Sequence, residues 1–183
     1  MYVWGRLARM GATAKSRGPY RMGDESRLSF RCLPTDIDRN MHLNNARYLM
    51  LADVGRIDIF LRAGLIRLAR QKRWGPMMGG LQSVYVREIR LWRTFEVVST
   101  IETWEDTQVI GRHRFILESG ETAAMVMTTA GIYDFDGRRF VPIDEMVREL
   151  GHDVTPRPPS EEERIFMTSH AGLRKLAKKS SDG

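Results

Sequence analysis

Cysteine is almost absent from this chain, since Cys32 is the only one among 183 residues. A single cysteine excludes an internal disulfide framework and a cysteine-rich metal site. No apolar run approaches the roughly 18–20 residues that a membrane-spanning helix needs. The segment GPMMGG lacks the lysine of a phosphate-binding loop, and no His, Asp and Glu residues have convincing metal-ligand spacing. We therefore predict no metal and no cofactor, and we interpret Cys32 as a buried core thiol.

Acidic residues are missing from the start of the chain, where Asp24 is the first. Five basic residues precede it: Arg6, Arg9, Lys15, Arg17 and Arg21. We interpret residues 1–25 as a loose basic N-terminal arm. A membrane-surface helix and a transit-like presequence are the alternatives, because the segment carries arginine and no acid. If the segment is a membrane-surface helix, its apolar side would consist of Val3, Trp4, Leu7 and Met10. A further hypothesis is that residues 1–24 lie outside the main folded domain and make peripheral contact with anionic membranes.

The net charge of +6 allows a nucleic acid, an anionic membrane or an anionic ligand as partner. Aromatic residues are not interleaved with arginine, and no zinc-finger or recognition-helix pattern is present. We therefore predict no nucleic-acid partner and a cytoplasmic protein. The chain is 42% hydrophobic, which is enough to bury a core. We expect His113, in the segment GRHRF, to lie on the surface or at an interface.

The first half of the chain reads as one strand followed by helix. RLSFRCL alternates as a strand does. Asn44 or Asn45 is a natural N-cap, because a short side-chain oxygen accepts a hydrogen bond from a free backbone N–H. The helical pattern runs from Ala46 to about Gly64, and its small residues suggest that a sheet approaches it closely. LIRLARQKRW predicts a shorter helix, and GPMMGG predicts a turn-rich break.

In the second half of the chain, the segments are rich in β-branched residues or alternate between apolar and polar residues, as strands do. Short polar turns between successive strands predict an antiparallel meander. PIDEMVREL predicts a short helix and TPRPPS a linker. Ser160 and Glu163 form a capping-box signal for a last helix over about 161–178. The four predicted strands are LQSVYVREI, TFEVVSTIETW, QVIGRHRFIL and TAAMVMTTAGIYDF.

This order of elements predicts an α+β fold, because an antiparallel sheet with one long helix must bury the apolar face of that helix. We expect a curved sheet wrapped around a central helix. The chain then divides into a basic arm (1–25), the α+β domain (26–151), and a proline-rich linker with a C-terminal helix (152–183).

The polar segment DIDRNMHLNNARY lies between the first strand and the long helix. It holds two aspartates, one histidine and three asparagines in thirteen residues, none of which favours a core. Asp36 and Asp38 are explained by turn formation if their carboxylates bond the local backbone. A reactive site at Asp38 is the alternative, because the first N–H groups of a helix are unpaired and carry partial positive charge.

The segment and its surroundings resemble the hotdog-fold thioesterases over about residues 27–150. The pattern from Asp38 to Tyr48 resembles the motif of plant acyl-carrier-protein thioesterases. TDIDRNMHLNNARY is similar to the 4-hydroxybenzoyl-CoA thioesterase-like group, and RCLPTDIDRNMHLNNARYLMLAD is similar to the THEM6-type proteins. The resemblance implies the hotdog fold and the hydrolysis of an acyl-CoA or acyl-carrier-protein thioester, as in fatty acid metabolism.

The resemblance also implies roles for individual residues. Asp38 falls on the aspartate that acts as nucleophile or general base, and Asn40 and His42 fall on site residues. Glu88 is the nearest match to a further acid on the strand after the helix. Many relatives have glycine directly before the histidine, where this chain has Met41. Glycine permits φ values that methionine resists, so either the local backbone or the carbonyl-binding geometry is expected to differ. Asp36 is expected to support the loop.

Further expectations concern the substrate and the assembly. We predict that Asn44, Asn45, Tyr48, Met77 and Met78 contact the substrate, the last three beside an apolar tunnel for the acyl chain. Four arginines are candidates for nucleotide phosphates, although a solvated strand face explains them equally well: Arg87, Arg90, Arg112 and Arg114. Open sheet edges predict a homodimer or tetramer. The alternative function is a non-catalytic acyl-thioester-binding protein on the same fold.

Overall fold

The structure is a computed structural model that describes residues 3–179. It confirms the α+β class: one antiparallel sheet curls around a central helix. The helices are α1 (Trp4–Thr13), α2 (Asn45–Arg62), α3 (Leu65–Lys72), α4 (Ile143–Glu149) and α5 (Glu161–Lys179). The strands are β1 (Ser26–Arg31), β2 (Trp74–Tyr85), β3 (Thr94–Glu105), β4 (Gln108–Leu117), β5 (Thr122–Asp134) and β6 (Arg139–Val141). Among residues 3–179, no helix is both long and apolar enough to cross a membrane.

The sheet has the strand order β1-β3-β4-β5-β2, and β6 pairs with the far end of β5. Strands β3, β4 and β5 form the predicted meander, but β2 pairs with β5 and not with β3, its neighbour in sequence. The break predicted at GPMMGG is wrong, because the segment lies inside β2. Its glycines and Pro76 are tolerated since β2 is an edge strand whose register shifts between Met78 and Gly80.

Helix α2 is the central helix, and it starts where the sequence predicts. The Asn44 side chain caps it by accepting the Ala46 N–H at 2.9 Å. Its inner face is buried against the sheet, and a β-carbon built at Gly55 would overlap the Oγ of Ser99. The expectation that small residues let the sheet approach this helix is therefore confirmed.

The N-terminal segment is not a loose arm. Val3 and Met10 of this segment are buried in the same apolar cluster as α2. Arg17 forms an ion pair of 2.6 Å with Asp58, which is fully buried on α2. Tyr20 is buried as well, and its hydroxyl accepts the Ile101 N–H at 3.2 Å. The apolar side that a membrane-surface helix would need is thus largely used inside the protein.

The C-terminal helix α5 has the predicted capping box. The Ser160 N–H donates to Glu163 Oε2 at 2.7 Å, and the Glu163 N–H donates to Ser160 Oγ at 3.4 Å. Arg157 in the proline-rich linker bonds the buried Glu163 carboxylate and lowers its pKa. The linker is therefore fixed to the first turn of α5. Whether the chain divides functionally at residues 25 and 151 stays a prediction.

Candidate active site

Asp36 organises the loop between β1 and α2, where the polar motif lies. Its carboxylate accepts the Leu33 N–H at 2.9 Å, and its own N–H donates to the Leu33 carbonyl at 2.8 Å. Its carbonyl accepts the Asn44 N–H at 2.9 Å, which ties the loop to the start of α2. Asp36 is only 2% exposed. These bonds are those of a loop-supporting residue, as the sequence suggests.

Two arginines from different helices hold the Asp36 carboxylate. Arg6 of α1 donates to both oxygens, at 2.9 and 2.5 Å, and also to the Arg31 carbonyl at 2.8 Å. Arg47 of α2 lies with its Nε 3.7 Å from Asp36 Oδ1 and donates to the Thr35 carbonyl at 2.6 Å. Sequence reasoning missed Arg6, because its partner lies thirty residues away and nothing local marks the pair.

Asp38 lies two residues further on and is more accessible. Its Oδ1 accepts the Asn40 N–H at 2.8 Å and lies 3.7 Å from His42 Nδ1. The Asp38 and His42 side chains are 24% and 25% exposed. The carboxylate thus braces its own turn, as one interpretation holds, and still faces solvent beside a histidine, as the other requires. Asn40 is exposed next to it.

Met41 has a φ of +62°, in the left-handed region that glycine adopts without cost. Its side chain is largely exposed. Methionine thus adopts here a left-handed conformation that glycine would permit, and a difference in carbonyl-binding geometry from the relatives stays a prediction. The turn is closed by the Met41 N–H, which donates to the Asp38 carbonyl at 3.1 Å.

The N–H groups in the first turn of α2 are only partly paired. Asn44 accepts hydrogen bonds from two of these N–H groups. Its side chain accepts the Ala46 N–H, and its carbonyl accepts the Arg47 N–H at 2.8 Å. Among the described residues, the Asn45 N–H has no partner. Asn45 is exposed, so this donor is available beside the Asp38 turn.

Tyr48 lies behind the motif, with its ring packed edge-on against Tyr85 and Phe115 at centroid distances of 5.0 and 4.9 Å. Burial raises the pKa of its phenol to about 12. Met77 and Met78 lie elsewhere, in a cavity of about 500 Å³ between the β2–β5 pair and α5. Tyr48 does not line that cavity, and a tunnel that joins all three residues stays a prediction.

Glu88 was expected on a strand, and that position is wrong. Strand β2 ends at Tyr85, so Glu88 lies in the connection to β3, where it is exposed and paired with Arg90 at 3.0 Å. The connection does run beside the motif, because the Leu43 N–H donates to the carbonyl of Ile89 at 2.8 Å. A role for Glu88 stays a prediction.

The four arginines proposed for phosphate binding lie on two elements: Arg112 and Arg114 on β4, and Arg87 and Arg90 in the connection between β2 and β3. Each is paired with a carboxylate. The pairs are Arg87 with Glu121 at 2.7 Å, Arg90 with Glu88 at 3.0 Å, Arg112 with Glu163 at 3.4 Å, and Arg114 with Glu25 at 2.5 Å. Whether any of the four binds a phosphate stays a prediction.

His113 is buried, contrary to the sequence expectation of a surface residue. The alternation of β4 turns it inward, where its Nδ1 lies 2.8 Å from Ser99 Oγ. Burial lowers the pKa of its imidazole to about 3. Cys32 is fully buried as predicted, and burial raises the pKa of its thiol to about 11. Neither residue is accessible to a substrate.

Comparison with known proteins decides the family. Residues 32–150 match the family model of the Thioesterase-like superfamily. This chain belongs to that superfamily. It is 35% identical over 97 residues to Protein THEM6 of Xenopus laevis, a match that covers 52% of this chain and 47% of that protein. The chain thus spans about half the length of this curated relative.

Solved structures agree on the fold. YbaW of Escherichia coli superposes with a TM-score of 0.64 at 18% identity, covering 68% of this chain and 94% of that one. The DHNA-CoA thioesterase of Staphylococcus aureus gives a TM-score of 0.58 at 15% identity and covers 73% and 99% of the two chains. These proteins share the sheet wrapped around a helix, which is the hotdog fold.

Proposed function

We propose that the protein hydrolyses acyl thioesters and that Asp38 is the base. The observation that carries this proposal is the position of its solvent-facing carboxylate, 3.7 Å from His42 Nδ1 and in the loop that leads into α2. Membership of the Thioesterase-like superfamily supports the same reaction. The unpaired Asn45 N–H supplies a donor at the start of the helix, where the partial positive charge of the helix is greatest.

The proposed reaction needs few groups, because a thioester carbonyl is already electrophilic. Asp38 removes a proton from a water molecule while the water oxygen forms a bond to the carbonyl carbon. The negative charge that develops on the carbonyl oxygen is stabilised by the Asn45 N–H. Collapse of the tetrahedral intermediate breaks the C–S bond, and the leaving thiolate takes up the proton from Asp38. His42 orients the carboxylate or the water.

The carrier of the acyl group is proposed to be coenzyme A or an acyl-carrier protein. One structural neighbour is a DHNA-CoA thioesterase, which supports coenzyme A. Asn40, Asn44 and Tyr48 surround or support the Asp38 loop and are proposed to position the thioester end. Met77 and Met78 line a cavity of their own and are proposed to hold apolar portions of the substrate.

The test of the base is the substitution Asp38→Asn, which keeps the size and shape of the side chain and removes its charge. We expect turnover to fall at least about 100-fold, comparable to the loss of a general base. The measurement is thiol release across a series of acyl-CoA chain lengths. Asp153→Asn, the same change at an exposed linker position, is the matched control. Near wild-type turnover in the Asp38→Asn variant would contradict the proposal.

A second candidate function is non-catalytic binding of acyl thioesters. The observation that favours it is the engagement of the Asp38 carboxylate by the Asn40 N–H within its own turn. In that case purified protein would carry bound coenzyme A or acyl groups, detected by mass spectrometry, and would release no thiol from any acyl-CoA in the series.

The proposed assembly is a homodimer or a larger homo-oligomer. Strand β2 forms one edge of the sheet, and among the described strands only β5 pairs with it. Several of its apolar side chains are exposed, among them Leu81 and Val84. A second copy of this chain is the proposed cover for this edge.

A further inference from the structure

A cationic groove lies between α1 and β1. Its cavity measures about 320 Å³. Five arginines and no acidic residue line it: Arg6, Arg9, Arg17, Arg27 and Arg31. None of these arginines belongs to the set that the sequence suggests for phosphate binding.

The charges in the groove are only partly balanced. Carboxylates outside the lining neutralise three of the arginines: Asp36 pairs with Arg6, Asp58 with Arg17, and Glu25 and Glu96 with Arg27. Within residues 3–179, neither Arg9 nor Arg31 has a carboxylate partner. Two positive charges therefore remain available in one concave place, which favours an anion there.

Arg31 is held in place by the protein although no carboxylate pairs with it. Its Nε donates to the Trp92 carbonyl at 2.9 Å, and its guanidinium lies over the Trp92 ring, 5.4 Å from the ring centroid. These contacts fix the side chain through one nitrogen, so that its two terminal nitrogens stay available as donors. A fixed guanidinium loses less freedom when it binds a phosphate or carboxylate.

The groove has apolar side chains as well as charged ones. Met10, Leu28 and Phe30 line it together with the arginines. A guanidinium matches the oxygens of a phosphate group in two parallel hydrogen bonds. A cavity of this size lies at the lower end of the range for small-molecule sites, about 300–1,000 Å³. The combination suits an organic phosphate with an apolar or planar portion better than it suits inorganic phosphate.

We propose that this α1–β1 groove binds a soluble organic phosphate that carries at least two negative charges. A membrane surface is the weaker alternative, because Val3 just before α1 and Met10 within it are buried and leave little of the apolar side for a bilayer. Arg6 lines the groove and also holds Asp36, so a ligand in the groove contacts the same side chain that supports the Asp38 loop. The proposal does not depend on the reaction at that loop.

The test uses adenosine 3′,5′-bisphosphate as the probe and the full-length protein, with isothermal titration calorimetry at low and high salt. We expect saturable binding that weakens with salt. The double variant Arg9→Gln/Arg31→Gln should bind about tenfold more weakly or worse, because two charge-assisted contacts are lost. The matched control is Arg67→Gln/Arg70→Gln, which removes the same charge from the exposed face of α3. The control should bind as the wild type does.

Three arms separate the possible ligands. Inorganic phosphate should bind more weakly than the bisphosphate, and vesicles of phosphatidylglycerol in phosphatidylcholine should not retain the protein. Absence of saturable bisphosphate binding, or equal binding by the double variant and the wild type, would overturn the proposal. Vesicle binding that depends on Arg9 and Arg31 while the bisphosphate fails to bind would assign the groove to a lipid headgroup and overturn it too. Far-ultraviolet circular dichroism confirms that both double variants are folded.

Discussion

Met41 carries backbone strain at the centre of the candidate site. A non-glycine residue in the left-handed region costs roughly 1–2 kcal/mol, and glycine loses about 0.5–1 kcal/mol through its freer unfolded chain. We therefore expect Met41→Gly to raise the free energy of unfolding by about 0.5–1 kcal/mol. The measurement is urea denaturation followed by circular dichroism.

The control for this substitution is Arg39→Gly, two residues earlier in the same loop. Arg39 is exposed and does not have a positive φ, so glycine there should leave stability unchanged or lower it. A Met41→Gly variant that unfolds at lower urea than the wild type would show that the methionine side chain stabilises the loop more than its backbone strains it.

Individual residues were predictable where their chemistry acts within a few positions. The Asn44 cap and the support from Asp36 follow from short side chains that bond the neighbouring backbone. The contacts of Arg6 and His113 were not predictable, because their partners lie 30 and 14 residues away along the chain. The topology of the fold creates such a pair, so the local sequence pattern does not indicate it.

At the scale of elements, the N-terminal segment was misjudged because its apolar side is short. Val3, Leu7 and Met10 recur at helical spacing in a polar segment, a pattern that suits an arm or a surface helix as well as a packed one. By contrast, the capping box of α5 and the alternation of β1 are local signals and gave the correct elements. Only the last part of β2, from Leu81, was predicted as strand. The first part was not, because the edge position that makes Pro76 acceptable is a property of the whole sheet.

Removal of residues 1–23 is expected to destabilise the protein strongly. The truncated chain would lose the burial of Val3 and Met10, each worth about 1.5–3 kcal/mol at most. It would also remove Arg17 from the buried Asp58 carboxylate, and the loss of one partner of a buried ion pair costs about 3–5 kcal/mol. Arg62 remains 3.0 Å from Asp58 and offsets part of this cost.

The melting temperature of a chain that starts at Asp24 measures this effect. Arg9→Gln is the control, since it changes the same segment at an exposed position without touching the core. A truncated protein that melts with the full-length protein and retains its turnover would restore the interpretation of residues 1–24 as a separate arm.

At the scale of the whole molecule, the unpaired edge of β2 predicts self-association. Light scattering at micromolar concentration should give at least twice the 21.1 kDa mass of the chain. Leu81→Lys/Val84→Lys places one charge on each face of this edge strand and should shift the protein toward the monomer. Val154→Lys, at an exposed apolar position in the linker, is the control. A wild-type monomer at this concentration would contradict the prediction.

The unpaired edge of β2 also affects how stability depends on protein concentration. If two copies pair along this edge, the native state is a dimer, and its free energy of unfolding depends on the protein concentration. Each tenfold dilution then costs the dimer about 1.4 kcal/mol of its free energy of association at 25 °C. The melting temperature should therefore fall as the protein is diluted, while that of the Leu81→Lys/Val84→Lys variant stays constant.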